Sequence, residues 1–515
     1  MGECSMPDES RLPVLIGVGQ LRNNPERTHD AAREPLELAE EAARRAVKDA
    51  GVDALLNSVD TITAVKTSSW AYDDLPSLLA GRLGISPTRT STTTVGGHWP
   101  AAILDAAAAE IAAGASRAAL LVGAEAQASV SALLKAGVDP GRDHGWTTAP
   151  GGPPAFDPDD LGSPAMQAAG LIMPTRVYPL FENRLRHALG QRPEEATAWS
   201  ARLYAAFSEV ASGNPAAWTP TPRTAEEIAT VGPGNRMVCE PYPLAMNAMP
   251  HVDQAVAVLV TSVALAREHG VDEDRLVYVW GGAGASDSPD VLSRPDFARS
   301  AALESVLRRC LDRGGLDATE LDVLDVYSCF PVVPKLVIRQ LGLADDVVPT
   351  VTGGHSSFGG PLSSYSLHAV VSVVERLREG ATVGLVHANG GYLTDQHAVL
   401  LGRGPHADGY VGEPEPVSTA TREDVPALRE PSDDAAEPAV VETATVEYGR
   451  DGTPSQAFLV ARAQDGARLC GQTRPGDTAS ARVLSLASGS EVVGRRVRIS
   501  RAGPDQGFLS VDTAD

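Results

Sequence analysis

Two stretches of the chain are apolar over the length of a helix and show no polar face. From Ser364 to Arg378 only Glu375 and Arg376 are charged before the end, and Ala101 to Ala113 is Ala-rich and apolar. A helix on the surface of a soluble protein keeps one polar stripe, so both helices are predicted to lie inside a domain. Each follows glycines: Gly96-Gly97-His98-Trp99-Pro100 before the first, and Gly353-Gly354 and then Gly359-Gly360-Pro361 before the second. Each also leads into a short apolar strand. After Gly114 comes Ala118–Val122, ending in Gly123-Ala124-Glu125; after Glu379-Gly380 comes Thr382–His387, running into a turn at Asn389-Gly390-Gly391. A repeated order of this kind marks an internal duplication. Helix N-termini aimed into a Gly-lined hollow would suit an anion or a developing oxyanion.

The remaining pattern fills in around these two units. Strands are predicted at Val14–Val18, Val59–Val65, Asp253–Leu265, Leu276–Gly281 and Val323–Val326. Pro35 to Gly51 is an amphipathic helix with Pro at its start and Gly past its end. Further helices are predicted at Leu75–Leu83, Ala298–Arg313 and Pro331–Gly342, and within an interruption of the first unit at Ala165–Met173, Thr175–Ala188 and Pro193–Ala211. Residues 406–440 are rich in Pro, Asp and Glu without periodicity, the composition of a linker or of a strap pinned along the surface. From Val441 the pattern changes to short alternating runs separated by Asp-Gly and Pro-Gly turns, which predicts a small antiparallel, OB-like β-barrel.

Composition narrows the class. At 515 residues the chain exceeds one core. The predicted divisions are a disordered 1–10, a first half at 11–127 and 246–272, an insertion at 128–245, a second half at 273–405, a linker at 406–440 and a β-domain at 441–515. A net charge of −23 argues against nucleic acid and anionic membrane as partners. No apolar run reaches the roughly 18 residues of a spanning helix. The opening MGECSMPDES is acidic and polar, without the features of a secretory signal, so a cytoplasmic location is expected. Five scattered cysteines make neither a disulfide framework nor a zinc site, and His355, His387 and His397 have no metal-ligand spacing.

The phrases LPVLIGVGQ (Leu12–Gln20), VDTIT (Val59–Thr63), NRMVCEPYPLAMNAMPHVDQAVAVLV (Asn235–Val260) and DVYSCFP (Asp325–Pro331), with the opening glycine-helix-strand stretch, resemble the thiolase superfamily. The nearest wording is that of sterol-carrier-protein-type thiolase-like proteins, often named acetyl-CoA acetyltransferases. The resemblance runs from about Arg11 to Pro405 and leaves out the C-terminal region. It implies a thiolase fold: two duplicated βαβ-type halves, layered α/β/α/β/α, with an inserted loop domain over a CoA pocket.

The resemblance also says where catalysis should sit, and this chain departs from it there. The nucleophilic cysteine's place falls on Gly97, and the Gly-His-Pro turn reads Gly359-Gly360-Pro361. The Cys-x-Gly turn reads Ala388-Asn389-Gly390, and the oxyanion motif reads Tyr327-Ser328-Cys329-Phe330. Asn247 and Asp253 match the family's Asn-Ala-Ser…Asp-Gly phrase, with Met249 in place of the serine. Chemistry through an acyl-cysteine is therefore not expected, because the thiolate is itself the reacting atom. The ligand pocket is expected to involve His98, Trp99, Asn247, Tyr327, Ser328, Cys329, His355, Gly359, Asn389 and Gly390, enlarged by the empty positions Gly97, Gly360 and Ala388. Cys329 is read as a packed core thiol.

Three functions remain open. The first is a protein of lipid or sterol metabolism that binds CoA or acyl-CoA, needs no cofactor and lacks thiolase activity. The second, implied by thiolase-like proteins with the YSCF-type wording, is a retro-aldolase on steroid-type acyl-CoA thioesters with Tyr327 or Tyr392 as acid/base. The third is a scaffold subunit with a closed pocket. The family default is a homodimer, with a monomer as the alternative.

Overall fold

The computed structural model describes residues 8–147, 162–431, 436–489, 491–503 and 507–514. The predicted disorder of residues 1–7, part of the insertion and part of the linker lie outside the described residues. Residue Asp8 caps a single turn, Glu9–Arg11.

The first half runs β1 (Pro13–Arg22), α1 (Pro35–Ala50), β2 (Thr61–Ala64), α2 (Leu75–Leu83), β3 (Arg89–Thr92), α3 (Trp99–Ala113) and β4 (Ala118–Ala126). The insertion carries α4 (Gln127–Lys135), α5 (Pro164–Ala168), α6 (Pro174–Ala188), α7 (Pro193–Ser212), α8 (Ala225–Ala229), β5 (Met237–Cys239) and β6 (Tyr242–Pro243). Then follow β7 (Asp253–Ser262), α9 (Val263–Glu268), β8 (Val277–Ser286), α10 (Ala301–Gly314), β9 (Val323–Val326), α11 (Val332–Gln340), α12 (Tyr365–Arg378), β10 (Val383–Gly390) and β11 (Asp395–Gly402). Next come β12 (Glu413–Ser418), β13 (Glu437–Tyr448), β14 (Pro454–Ala463), β15 (Arg468–Thr473), α13 (Thr478–Val483), β16 (Arg496–Arg501) and β17 (Phe508–Thr513).

The main sheet has the order β3-β2-β4-β7-β1-β8-β11-β10-β9, with β12 added beside β8. Its two halves meet only where β1 pairs with β8 at Val14↔Tyr278 and Leu15↔Val277. Helices α3 and α12 touch each other and strands of both halves, whereas α1 covers the outer face of the first half and α10 that of the second. This is the α/β/α/β/α layering of the thiolase fold. Helix α12 is buried on nearly every face, as its composition requires, whereas α3 keeps one face open along Ala102, Ala106, Ala109 and Ala113, a correction to its expected full burial. The closeness of α1 explains GVG in β1: a Cβ on Gly17 or Gly19 would collide with the carbonyls of Ala46 or Ala42.

The C-terminal strands close into a five-stranded barrel of order β13-β14-β15-β17-β16, sealed by β16–β13 pairing, with α13 between the third and fourth strands. That is the OB-type arrangement.

Several predicted elements shift. The helix expected at Ala165–Met173 is only α5, because Gly170 adopts a positive φ of 70° and Pro174 starts α6. The strand expected over Asp253–Leu265 stops at Ser262, whose side chain caps α9. The turn expected at Asn389-Gly390-Gly391 is displaced, since β10 pairs with β11 through Gly390. Part of the predicted linker is structured: β12 lies in the main sheet and β13 starts at Glu437.

Candidate functional site

The site is built where β9, the glycine turns and the first turn of α3 converge. Gly97 lies in the bend before α3, and its backbone runs so close to β9 and β10 that no side chain fits. A Cβ there would collide with the Tyr327 hydroxyl and come within 2.5 Å of the Asn389 carbonyl oxygen. The expected enlargement of the hollow at this position is therefore corrected: the ring of Tyr327 fills it. Gly360 is tight as well, with Met249 O and Ala248 Cβ at 3.3 and 3.4 Å from where a Cβ would stand, and Ala388 is fully buried. Gly359 needs its φ of +121°, and a Cβ on it would meet Gln254 Oε1.

Tyr327 follows β9 and is 7% exposed. Among the described residues its hydroxyl has no hydrogen-bond partner, and burial, then the neighbouring Cys329, raise its pKa above the ordinary phenol value. It is a neutral donor at neutral pH and a poor base. The amides of Gly97 and His98, at the head of α3, likewise have no partner among the described residues. Helix N-termini present such free donors. The His355 ring lies 4.2 Å from the Tyr327 ring and stacks on Tyr365 at 3.6 Å. Its Nδ1 is 3.3 Å from Ser328 Oγ, its Nε2 is buried without a partner, and burial holds its pKa well below normal.

On the other side of Gly97, His98 packs its Nδ1 against Gly390, leaving that nitrogen buried and unpartnered. Burial, reinforced by nearby His397, pulls its pKa to about 3. Trp99 donates from Nε1 to Thr94 Oγ1 at 3.0 Å. Asn389 is locked: Nδ2 donates to the Tyr178 hydroxyl at 2.8 Å, and Oδ1 accepts from Gln396 Nε2 at 2.6 Å. Its Nδ2 also stands 4.0 Å from Cys329 Sγ. Burial pushes the Cys329 thiol up to about 12, so it is protonated and inert as a nucleophile.

Two expected members do not join. Tyr392 donates its hydroxyl to the carbonyl of Ile172 in the insertion, so it is removed as an acid/base candidate. Asn247 spends Nδ2 on the Pro243 carbonyl at 2.8 Å, pinning the loop ahead of β7. Nothing in the hydrophobic pattern marks Tyr178, which enters from α6, or Gln396, on a strand the pattern does not reveal. Asp105 did carry a signal, as a carboxylate inside an apolar helix. It accepts from His397 Nε2 at 2.9 Å, Gly282 N at 2.9 Å and the Tyr410 hydroxyl at 2.7 Å. No three His, Cys, Asp or Glu side chains gather as a metal site among the described residues.

The layering is that of the thiolase fold. More narrowly, the chain resembles sterol-carrier-protein-type thiolase-like proteins that carry an additional C-terminal β-domain. Residues 418–504 match the family model of the thiolase-like protein type 1 additional C-terminal domain. The crystal structure of a monomeric SCP2-thiolase like protein type 1 from Mycobacterium smegmatis superposes with a TM-score of 0.77 at 27% identity, over 98% of this chain and 99% of that one. The acetyl-CoA acetyltransferase of Methanothermobacter thermautotrophicus is 26% identical over 247 residues, which is 43% of this chain and 61% of that protein, under two thirds of its length. An Ltp2-ChsH2(DUF35) aldolase structure shares the fold alone, with a TM-score of 0.58 at 19% identity over 77% of this chain and 98% of the other. No helix among the described residues is long and apolar enough to cross a membrane.

Proposed function

We propose that this protein binds CoA or an acyl-CoA thioester and does not catalyse thiolysis or Claisen condensation. One observation carries the second half: the Tyr327 hydroxyl and the Asn389 carbonyl occupy the space that a side chain at position 97 would need. A thiolase nucleophile at the head of α3 has no counterpart here, and Cys329 is protonated at neutral pH. The fold and the acetyltransferase likeness support the CoA half. A place in lipid or sterol metabolism rests on the same likeness. The monomeric state of the M. smegmatis protein favours the monomer over the homodimer. The test is incubation of the purified protein with acetoacetyl-CoA and CoA: thioester loss at the buffer rate is expected, and enzyme-dependent acetyl-CoA would refute the proposal.

A second reading draws on the unpartnered Tyr327 hydroxyl beside the free amides of Gly97 and His98. A neutral phenol with two amides is a donor set for a thioester enolate oxyanion, which supports aldol-type cleavage of a β-hydroxyacyl thioester: as the Cα–Cβ bond breaks, the β-hydroxyl proton passes to a neutral acceptor, for which the unpartnered His355 Nε2 is the candidate, and Tyr327 donates to the enolate. Tyr327→Phe separates the readings, because it should abolish such turnover and leave CoA affinity within a few-fold. A closed-pocket scaffold would bind neither CoA nor acyl-CoA.

A further inference from the structure

Residues 405–419 lie beyond the duplicated halves, and the structure places them against a specific slot. Strand β1 leaves β8 after two residue pairs, and β12 takes up the open edge in parallel register at Glu413↔Ala283, Val417↔Ala285 and Ser418↔Ser286. The segment is fixed at its ends by Val411 N donating to Trp280 O (2.8 Å) and Thr419 N to Ser286 O (2.7 Å). The slot is lined by glycine because the backbones touch: a Cβ on Gly281 would strike Gly412, and one on Gly412 would strike Tyr410 and Asp105.

Polar anchors hold the segment. The Tyr410 hydroxyl donates to Asp105 Oδ1 at 2.7 Å, and Glu413 bridges Arg309 and Arg313 of α10. These anchors differ from those that hold the barrel, where fully buried Arg468 donates to the carbonyls of Leu292 and Arg294 and to Glu442. Loss of Arg468 would orphan buried carbonyls. Loss of Tyr410 leaves Asp105 with two donors, Gly282 N and His397 Nε2. Tyr410 and Glu413 are half-buried, and Glu415 to Ser418 are exposed. The segment can therefore detach without leaving a buried charge unpaired, the condition that makes local opening cheap.

Asp105, which Tyr410 holds, is bonded in turn to His397 beside the site. His397 lies across β11 from Gly284 of β8 and Ala388 of β10, and His98 sits on Gly390, two residues along the same strand. We propose that residues 405–419 form a releasable strap that closes the flank of α3 and controls solvent access to the His397–Asp105 pair under the site. This goes beyond the ligand-binding reading and does not depend on it.

Hydrogen-exchange mass spectrometry on the full chain tests the proposal, with the imidazole C2–H of His397 as a second reporter. In Tyr410→Phe, amides of residues 411–419 should exchange about tenfold faster, while those of α3 and β13–β14 keep their wild-type rates. The C2–H of His397, which is buried beside Asp105, should exchange faster as well, and Glu413→Gln should act in the same direction. Strap exchange that stays at the wild-type rate, or that rises only in step with the barrel and α3, would overturn the proposal. So would a His397 C2–H rate that does not change when the strap opens. If Tyr410→Phe does not fold, the wild type decides: strap amides with a smaller urea dependence than barrel amides support the strap, and equal dependence refutes it.

Discussion

A Cβ at position 97 has no place to go, because the Asn389 carbonyl belongs to β10 and cannot rotate aside as a side chain could. Gly97→Cys should leave thiolysis at background and cost about 1–3 kcal/mol, read from the urea midpoint. Adding Tyr327→Phe should recover only part of that loss, since the carbonyl remains. Full stability of the single variant would contradict the geometry. A different single residue sets a pH dependence. Glu125, 1% exposed, accepts from the amides of Ser68 and Ser69, and burial raises its carboxyl from 4.5 to about 7. The folded value lies above the unfolded one, so its contribution to stability is full below about pH 4.5 and is lost as pH rises through about 7. Glu125→Gln should remove a drop on the order of 3 kcal/mol across that window, seen as the difference between the two proteins' stability–pH curves. Parallel curves would show that Glu125 is ionised throughout.

The elements were legible in proportion to how local their cause is. Helices α1 and α2 follow from periodicity and end on Gly51 and Gly84, both with positive φ. The unbroken apolar runs of α3 and α12 marked the duplicated core. Strand β11 escaped because its pattern of Gln396, His397 and apolar residues makes sense only when it is buried between β10 and β8. The site was half legible. Absent side chains at Gly97 and Gly360 can be read from a sequence, but what fills their space cannot, because Tyr327 comes from a distant strand end. The insertion is joined to the second half by Lys335 of α11 and Glu182 of α6, both 1% exposed, with Tyr242 donating to the same carboxylate. Burial pulls the Lys335 ammonium's pKa down, and Glu182 opposes that. Lys335→Ala should cost about 3–5 kcal/mol by leaving Glu182 unpaired, whereas Lys335→Met with Glu182→Leu should cost much less. Equal losses would mean that packing, not charge, holds the joint.

At the scale of the whole molecule, the barrel is part of one body with the core. Strand β13 pairs with β5 of the insertion, Thr443 and Asn183 exchange bonds with backbone carbonyls across the junction, and the Glu240 carboxylate accepts from Tyr448, Ser485 and the amide of Leu486. A chain built this way keeps the thiolase layers, packs the Tyr327 ring against Gly97 at the head of α3 and pairs β12 with the open edge of β8. The surviving question is whether a thioester still enters. Calorimetric titration of the purified full chain with CoA and with a long-chain acyl-CoA answers it directly. Micromolar binding, tighter for the acyl form, is the expected result. Absence of heat with both ligands, at concentrations where the protein is folded, would contradict acyl-CoA binding and leave a scaffold with a closed pocket.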